Sequence, residues 1–170
     1  MRRRRKEEIA SAYSEASRKL DGVKGKVGAI GYCLGGLLAY LTATRTDVDV
    51  SVGYYAVGVE NYLAEANDLQ CPLVLHFAEE DKFCPPEARE AITEALGGKK
   101  DVSLYTYPGM DHAFATPGRD HYDKPATMMA YSRSLAALRR VRDDEGGRVE
   151  LTEVLDPLAL LIRRAVLGVH

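Results

Sequence analysis

Apolar positions recur in two rhythms along this chain. Ile9, Tyr13, Ala16 and Leu20 fall at helical spacing, which predicts a first helix that Asp21-Gly22 and Gly25 bring to an end. Lys26 to Ile30 then reads as a short buried strand and Leu37 to Ala43 as a helix. Val48, Val50, Val52, Tyr54 and Tyr55, between Asp47 and Val57, predict a second strand. Asn61 to Asn67 carries a weak signal for a short polar helix. Pro72 to Phe77 is a third strand, apolar throughout except for His76. Pro85-Pro86 opens a helix with Ala88, Ala91, Ile92, Ala95 and Leu96 on one face, and Gly97-Gly98 stops it. Asp101 to Tyr107 alternates and predicts a fourth strand. A last helix spans about Pro125 to Val141, with Met128, Met129, Tyr131, Leu135 and Leu138 expected to face inward.

This alternation of strand and helix predicts the α/β class: a mostly parallel sheet of about four strands flanked by helices. Asp143 to Gly147 reads as a turn or linker. Beyond it, Val149, Leu151, Val154 and Leu155 form a strand or a helical turn. Asp156-Pro157 then looks like an N-cap followed by proline at the first helical position, with Leu158, Leu161, Ile162 and Ala165 behind it. The expected organisation is a partial domain over 1–142 and a C-terminal extension over 143–170, packed on that domain or on a partner chain.

Composition narrows the field without naming a function. The chain has 170 residues, 46% hydrophobic and 28% charged, which suits one globular domain. A formal net charge of -2 offers no general attraction to nucleic acid. Arg2 to Lys6 is a basic run, read as a solvated first helical turn rather than a contact for nucleic acid or lipid. No apolar run approaches a membrane span, and the first residues lack the apolar core of a secretory signal. Three cysteines, at 33, 71 and 84, argue against a disulfide framework and for a reducing, cytoplasmic setting.

The chemistry gathers at Gly31-Tyr32-Cys33-Leu34-Gly35-Gly36. A strand, a sharp turn and a helix with G-x-C-x-G at the turn form the thiol version of the nucleophile elbow. Gly31 and Gly35 let strand and helix pass closely, so that the middle residue takes a strained turn and projects its side chain. The amide groups at the start of the following helix favour a thiolate there. The bland alternative is a buried structural cysteine in an ordinary turn.

Two further residues sit where such a nucleophile needs partners. Cys33 follows the first strand, Asp81 the third and His112 the fourth. In an open parallel sheet all three come to the carboxyl edge, where these sheets place ligands. The order nucleophile, acid, histidine is that of the α/β-hydrolases. His112 would take the thiol proton, Asp81 would orient the imidazole, and the backbone N–H of Leu34 would stabilise an oxyanion. A lone aspartate after a strand is more often a turn former, and a lone loop histidine more often surface. Asp111, Glu79 and Glu80 are rival acids. Cys71, His76, Cys84 and His121 match no zinc spacing, so no metal is expected.

The residues that carry these features resemble the dienelactone hydrolase family of α/β-hydrolases. The resemblance runs from about Gly25 to Leu138 through GAIGYCLGG (28–36), SVGYYAVGVE (51–60), HFAEEDKFCPP (76–86), YPGMDHAF (107–114) and YDKPA (122–126). It implies a truncated α/β-hydrolase fold and hydrolysis of a small ester or lactone through a thioester on Cys33, with Asp81 and His112 as its partners and no cofactor. It also implies a further half-sheet ahead of Lys26. Without it, the strand from Val27 to Tyr32 would offer an open apolar edge, which the C-terminal tail, or a second copy in a homodimer, would cover. The alternatives to catalysis are a truncated, non-catalytic relative acting as an interaction protein, and a thiol redox sensor at Cys33.

Overall fold

The computed structural model describes residues 25–143 and 148–154, with positions 16 and 19 besides. The helix expected over Ile9 to Leu20 and the one expected after Asp156 lie outside these residues, apart from those two positions.

Five strands form one sheet in the order β4-β3-β2-β1-β5. They are β1 (Gly25–Tyr32), β2 (Val50–Tyr54), β3 (Leu73–Ala78), β4 (Val102–Tyr107) and β5 (Arg148–Val154). Every adjacent pair runs parallel. Parallel neighbours need crossovers, and the chain supplies α1 (Leu34–Arg45), a 3-10 helix (Val59–Asp68), α2 (Pro86–Leu96) and α3 (Lys124–Asp143). The 3-10 segment is broken at Tyr62, which leaves helical geometry. This irregularity explains the weak helical signal there.

The central strands are buried on both faces, so they read as apolar runs rather than as alternation. All six residues of β3 and all five of β2 are buried. Leu73, Leu75 and Phe77 pack with Leu37, Tyr40 and Leu41 of α1 and with Ile92 and Leu96 of α2. Val74 and Ala78, on the other face of β3, pack with Ala130 of α3. Each fully buried aliphatic chain contributes about 1.5–3 kcal/mol. Polar pins fix the helices further. Ser51 Oγ donates to the Ala39 carbonyl at 2.7 Å. Arg45 holds Glu65 in a two-pronged pair, with Nε to Oε2 at 2.7 Å and the second nitrogen to Oε1 at 2.6 Å, a geometry stronger than a single contact.

One expectation changes, and one left open is decided. Met128, Met129 and Tyr131 of α3 were expected inward but are 59%, 52% and 46% exposed. The helix turns Ala130 and Ser134 to the sheet instead, beside Leu138, which was expected there. The second concerns the outer edge of β1. Residues 148–154 pair with it from Gly25↔Arg148 to Gly31↔Val154, so β1 is internal and the sheet gains a fifth strand. Among the described residues, no helix is long and apolar enough to cross a membrane.

Candidate active site

Because all the strands run the same way, their carboxyl ends share one rim. Register keeps those ends level: Tyr32 pairs with Tyr54, Tyr54 with His76, and Ala78 with Tyr107. Cys33, Asp81 and His112 all follow directly on this rim.

Cys33 sits between β1 and α1 at φ 56 and ψ -119. That is a strained conformation for a residue with a side chain, and it persists only where the surroundings impose it. Here they do. The Cys33 N–H donates to the Tyr54 carbonyl at 3.0 Å, while its own carbonyl accepts from the N–H of Gly36 at 2.9 Å and of Val57 at 3.4 Å. A Cβ on Gly31 would lie 1.8 Å from the Gly35 carbonyl oxygen. One on Gly36 would lie 2.7 Å from Ala56 Cβ. Strand and helix therefore close on each other only with glycine at these two positions. The thiol is left half-buried. Leu34 opens α1 directly after it, so its N–H is one of the initial donors that have no partner within the helix.

Asp81 is 2% exposed in the turn after β3. Its Oδ1 accepts the N–H of Phe83 at 2.9 Å, and its Oδ2 faces His112 Nδ1 at 2.8 Å. An ionised carboxylate only accepts, so in this pairing Nδ1 carries the proton and Nε2 is the ring nitrogen left over. Burial works against charge on His112. Hydrogen bonds to Asp81 and Cys33, together with the attraction of their negative charge, outweigh it and lift the imidazole from 6.5 to about 9. Two aromatic rings pack against this imidazole. Tyr55 meets it at 5.0 Å and 63°, and Phe83 at 4.8 Å and 64°. The loop that presents the histidine carries its own strain, with Ala113 at φ 66.

The rival acids are committed elsewhere. Glu79 Oε2 accepts the Gly109 N–H at 2.8 Å and ties the two rim loops together. Asp111 accepts the backbone N–H of His112 at 2.6 Å and faces His121 at 3.6 Å. Glu80 is exposed. Among the described residues, no three of His, Cys, Asp and Glu come close enough to hold a metal ion. A groove of about 470 Å³ lined by Gln70, Leu73, Asp101 and Arg140 lies at the opposite, amino edge of the sheet and contains none of the three rim residues.

A feature outside these expectations lies one layer down. His76 is fully buried, with Nδ1 2.9 Å from the Tyr107 hydroxyl and Nε2 2.9 Å from Ser134 Oγ. Ser134 Oγ also donates to the Ala130 carbonyl at 3.0 Å and lies 2.7 Å from the Tyr54 hydroxyl. This network pins α3 to β2, β3 and β4. The one sequence signal for it was a polar residue within an apolar strand, which needs a buried partner.

An elbow cysteine, a buried aspartate and a histidine bonded to that aspartate stand at the rim of a parallel sheet, and comparison with known proteins identifies the family. The family model described as "Dienelactone hydrolase family" matches residues 1–142. The chain belongs to the dienelactone hydrolase family. Its curated relatives include the carboxymethylenebutenolidase 1 of Cupriavidus pinatubonensis, 36% identical over 133 residues, covering 78% of this chain and 56% of that protein. The carboxymethylenebutenolidase of Pseudomonas putida is 39% identical over 111 residues, covering 65% and 47%. The chain thus spans about half the length of these relatives. Among solved structures, a dienelactone hydrolase-like promiscuous phosphotriesterase from metagenomic libraries superposes with a TM-score of 0.70 at 19% identity, covering 82% of this chain and 62% of that one. The fold is therefore part of the dienelactone hydrolase fold.

Proposed function

We propose that this member of the dienelactone hydrolase family hydrolyses a small carboxylic ester or lactone through a thioester on Cys33. The observation that carries the proposal is the 2.8 Å contact between His112 Nδ1 and Asp81 Oδ2, on the same rim as the elbow Cys33, whose interaction with the imidazole helps to raise its pKa. A raised imidazole pKa suits a ring that holds the thiol's proton.

The sequence of steps follows from these groups. His112 accepts the Cys33 proton, and the sulfur attacks the carbonyl carbon. The developing oxyanion meets the Leu34 N–H. As the carbon–oxygen bond breaks, the imidazolium gives its proton to the leaving alcohol. Water, deprotonated by the same ring, then attacks the thioester carbonyl. The acid departs, and the proton returns to sulfur. Asp81 holds the ring in one tautomer throughout.

The names of the curated relatives support a lactone as one substrate class, and they do not favour the non-catalytic alternative. The test is hydrolysis of an activated aryl ester by the wild type and by Cys33→Ala. The variant is expected to lose at least about 10³-fold in kcat. Equal rates would remove Cys33 from the chemistry.

A further inference from the structure

The loops that carry Asp81 and His112 leave the sheet from neighbouring strands, β3 and β4. The regular ladder between those strands ends at Ala78↔Tyr107. Beyond it, something else must set the distance between the two loops. The backbone supplies two links. The Glu79 N–H donates to the Tyr107 carbonyl at 3.1 Å, and the Glu80 N–H to the Met110 carbonyl at 2.8 Å.

Between those two carbonyls the second loop makes a tight turn. The Met110 N–H closes it on the Tyr107 carbonyl at 3.3 Å, and Gly109 stands at φ 67. Proline in the second place and glycine at positive φ in the third mark a type II turn. The closing bond of such a turn uses the N–H of its fourth residue, so the Gly109 N–H needs another acceptor. Glu79 Oε2 meets it at 2.8 Å. The Glu79 side chain is exposed and could remain in water, yet its carboxylate is bound to the neighbouring loop. A carboxylate makes a stronger acceptor for that N–H than a neutral group would.

Glu79 stands two residues before Asp81, and Gly109 three before His112. One side chain therefore braces both loops just short of the gap that His112 Nδ1 and Asp81 Oδ2 close at 2.8 Å. A bond of that length tolerates little displacement of either loop. Resting on the catalytic reading above, we propose that Glu79 is a positioning residue: by capping the Pro108-Gly109 turn, it holds His112 at bonding distance from Asp81. An acid close enough in sequence to rival Asp81 becomes its support. Glu79 acts through the turn, not through its charge. The charged groups that raise the imidazole are Asp81 and Cys33. Tyr55 meets the ring with a phenol that burial keeps neutral, and Asp111 accepts the His112 backbone N–H and faces His121.

The test compares the wild type with Glu79→Ala, which removes the acceptor, and Glu79→Gln, which keeps an acceptor oxygen of the same reach without the charge. The titration midpoint of His112, followed by imidazole proton resonances, is expected to fall by about one pH unit in Glu79→Ala and to hold within about 0.3 in Glu79→Gln. On an activated aryl ester, kcat is expected to fall about tenfold in Glu79→Ala with KM within about twofold, and Glu79→Gln is expected to recover most of that loss. In an Asp81→Ala background the His112 midpoint should no longer respond to Glu79→Ala, because the contact that Glu79 serves is gone. An unchanged midpoint in Glu79→Ala, equal losses in the alanine and glutamine variants, or a response that survives Asp81→Ala would overturn the proposal. If the wild type turns over no ester, the catalytic reading falls, and the midpoints alone decide whether Glu79 holds the pair together.

Discussion

Two histidines stand on neighbouring strands or their loops, and the protein treats them in opposite ways. His112, at the rim, keeps 16% of its side chain exposed and faces a carboxylate. His76, beneath it, is fully buried and faces only hydroxyls. Burial disfavours charge on both. At the rim, Asp81 and Cys33 overcome that cost and the pKa rises to about 9. In the layer below, burial prevails, Arg133 adds repulsion, and the pKa falls to about 3. The lesson is that the charge of the partner, more than depth, decides what an imidazole becomes. One histidine is equipped to hold a proton and pass it on. The other serves as a neutral peg between sheet and helix.

The largest break in this contrast comes from Asp81→Asn. It removes the charge that separates the rim histidine from the buried one. The pKa of His112 should fall, as read by imidazole proton resonances, and kcat for ester hydrolysis should drop about 10⁴-fold. The complementary change is Ser134→Ala, which orphans His76 Nε2 and the Tyr54 hydroxyl. We expect a loss of about 1–3 kcal/mol in denaturant unfolding, with kcat within about twofold of wild type.

The two histidines also divide the pH dependence of stability between them. His76 is protonated in the unfolded chain below 6.5 but not in the native one until about 3. Its contribution is therefore present above 6.5 and lost as pH falls from 6.5 toward 3. His112 runs the other way. Its contribution is complete below 6.5 and lost as pH rises through about 9. Stability measured by denaturant midpoint should peak near pH 6.5. His76→Gln is expected to flatten the acid limb and His112→Asn the alkaline limb. A flat profile in the wild type, or both limbs surviving both substitutions, would undo the contrast.

Much of this arrangement was legible in the sequence, for local reasons. The elbow was readable because strand, glycines and helix are contiguous, and Gly31 meets Gly35 within a single turn. Asp81 and His112 were readable because parallel strands deliver their carboxyl ends to one rim, so position after a strand becomes position in space. What escaped depends on contacts between distant segments. His76 and Ser134 are 58 residues apart, and nothing local marks the serine as its partner. That same contact explains the misjudged face of α3. Apolar spacing favoured Met128, Met129 and Tyr131, but a small, partly polar stripe of Ala130 and Ser134 allows close approach to the sheet and meets the buried imidazole. The pairing of residues 148–154 with β1 was one of several outcomes the sequence left open. Spacing alone could not choose between a strand and a helical turn there, and the decision lay with the edge of β1.

The account stands on Cys33 as the atom that carries the acyl group. Rapid acid quench of the enzyme with an activated aryl ester, followed by peptide mass analysis, tests this directly. The account predicts a transient acyl mass on the peptide containing Cys33 and none on those containing Cys71 or Cys84. Turnover with Cys33 unmodified at every time point would contradict it.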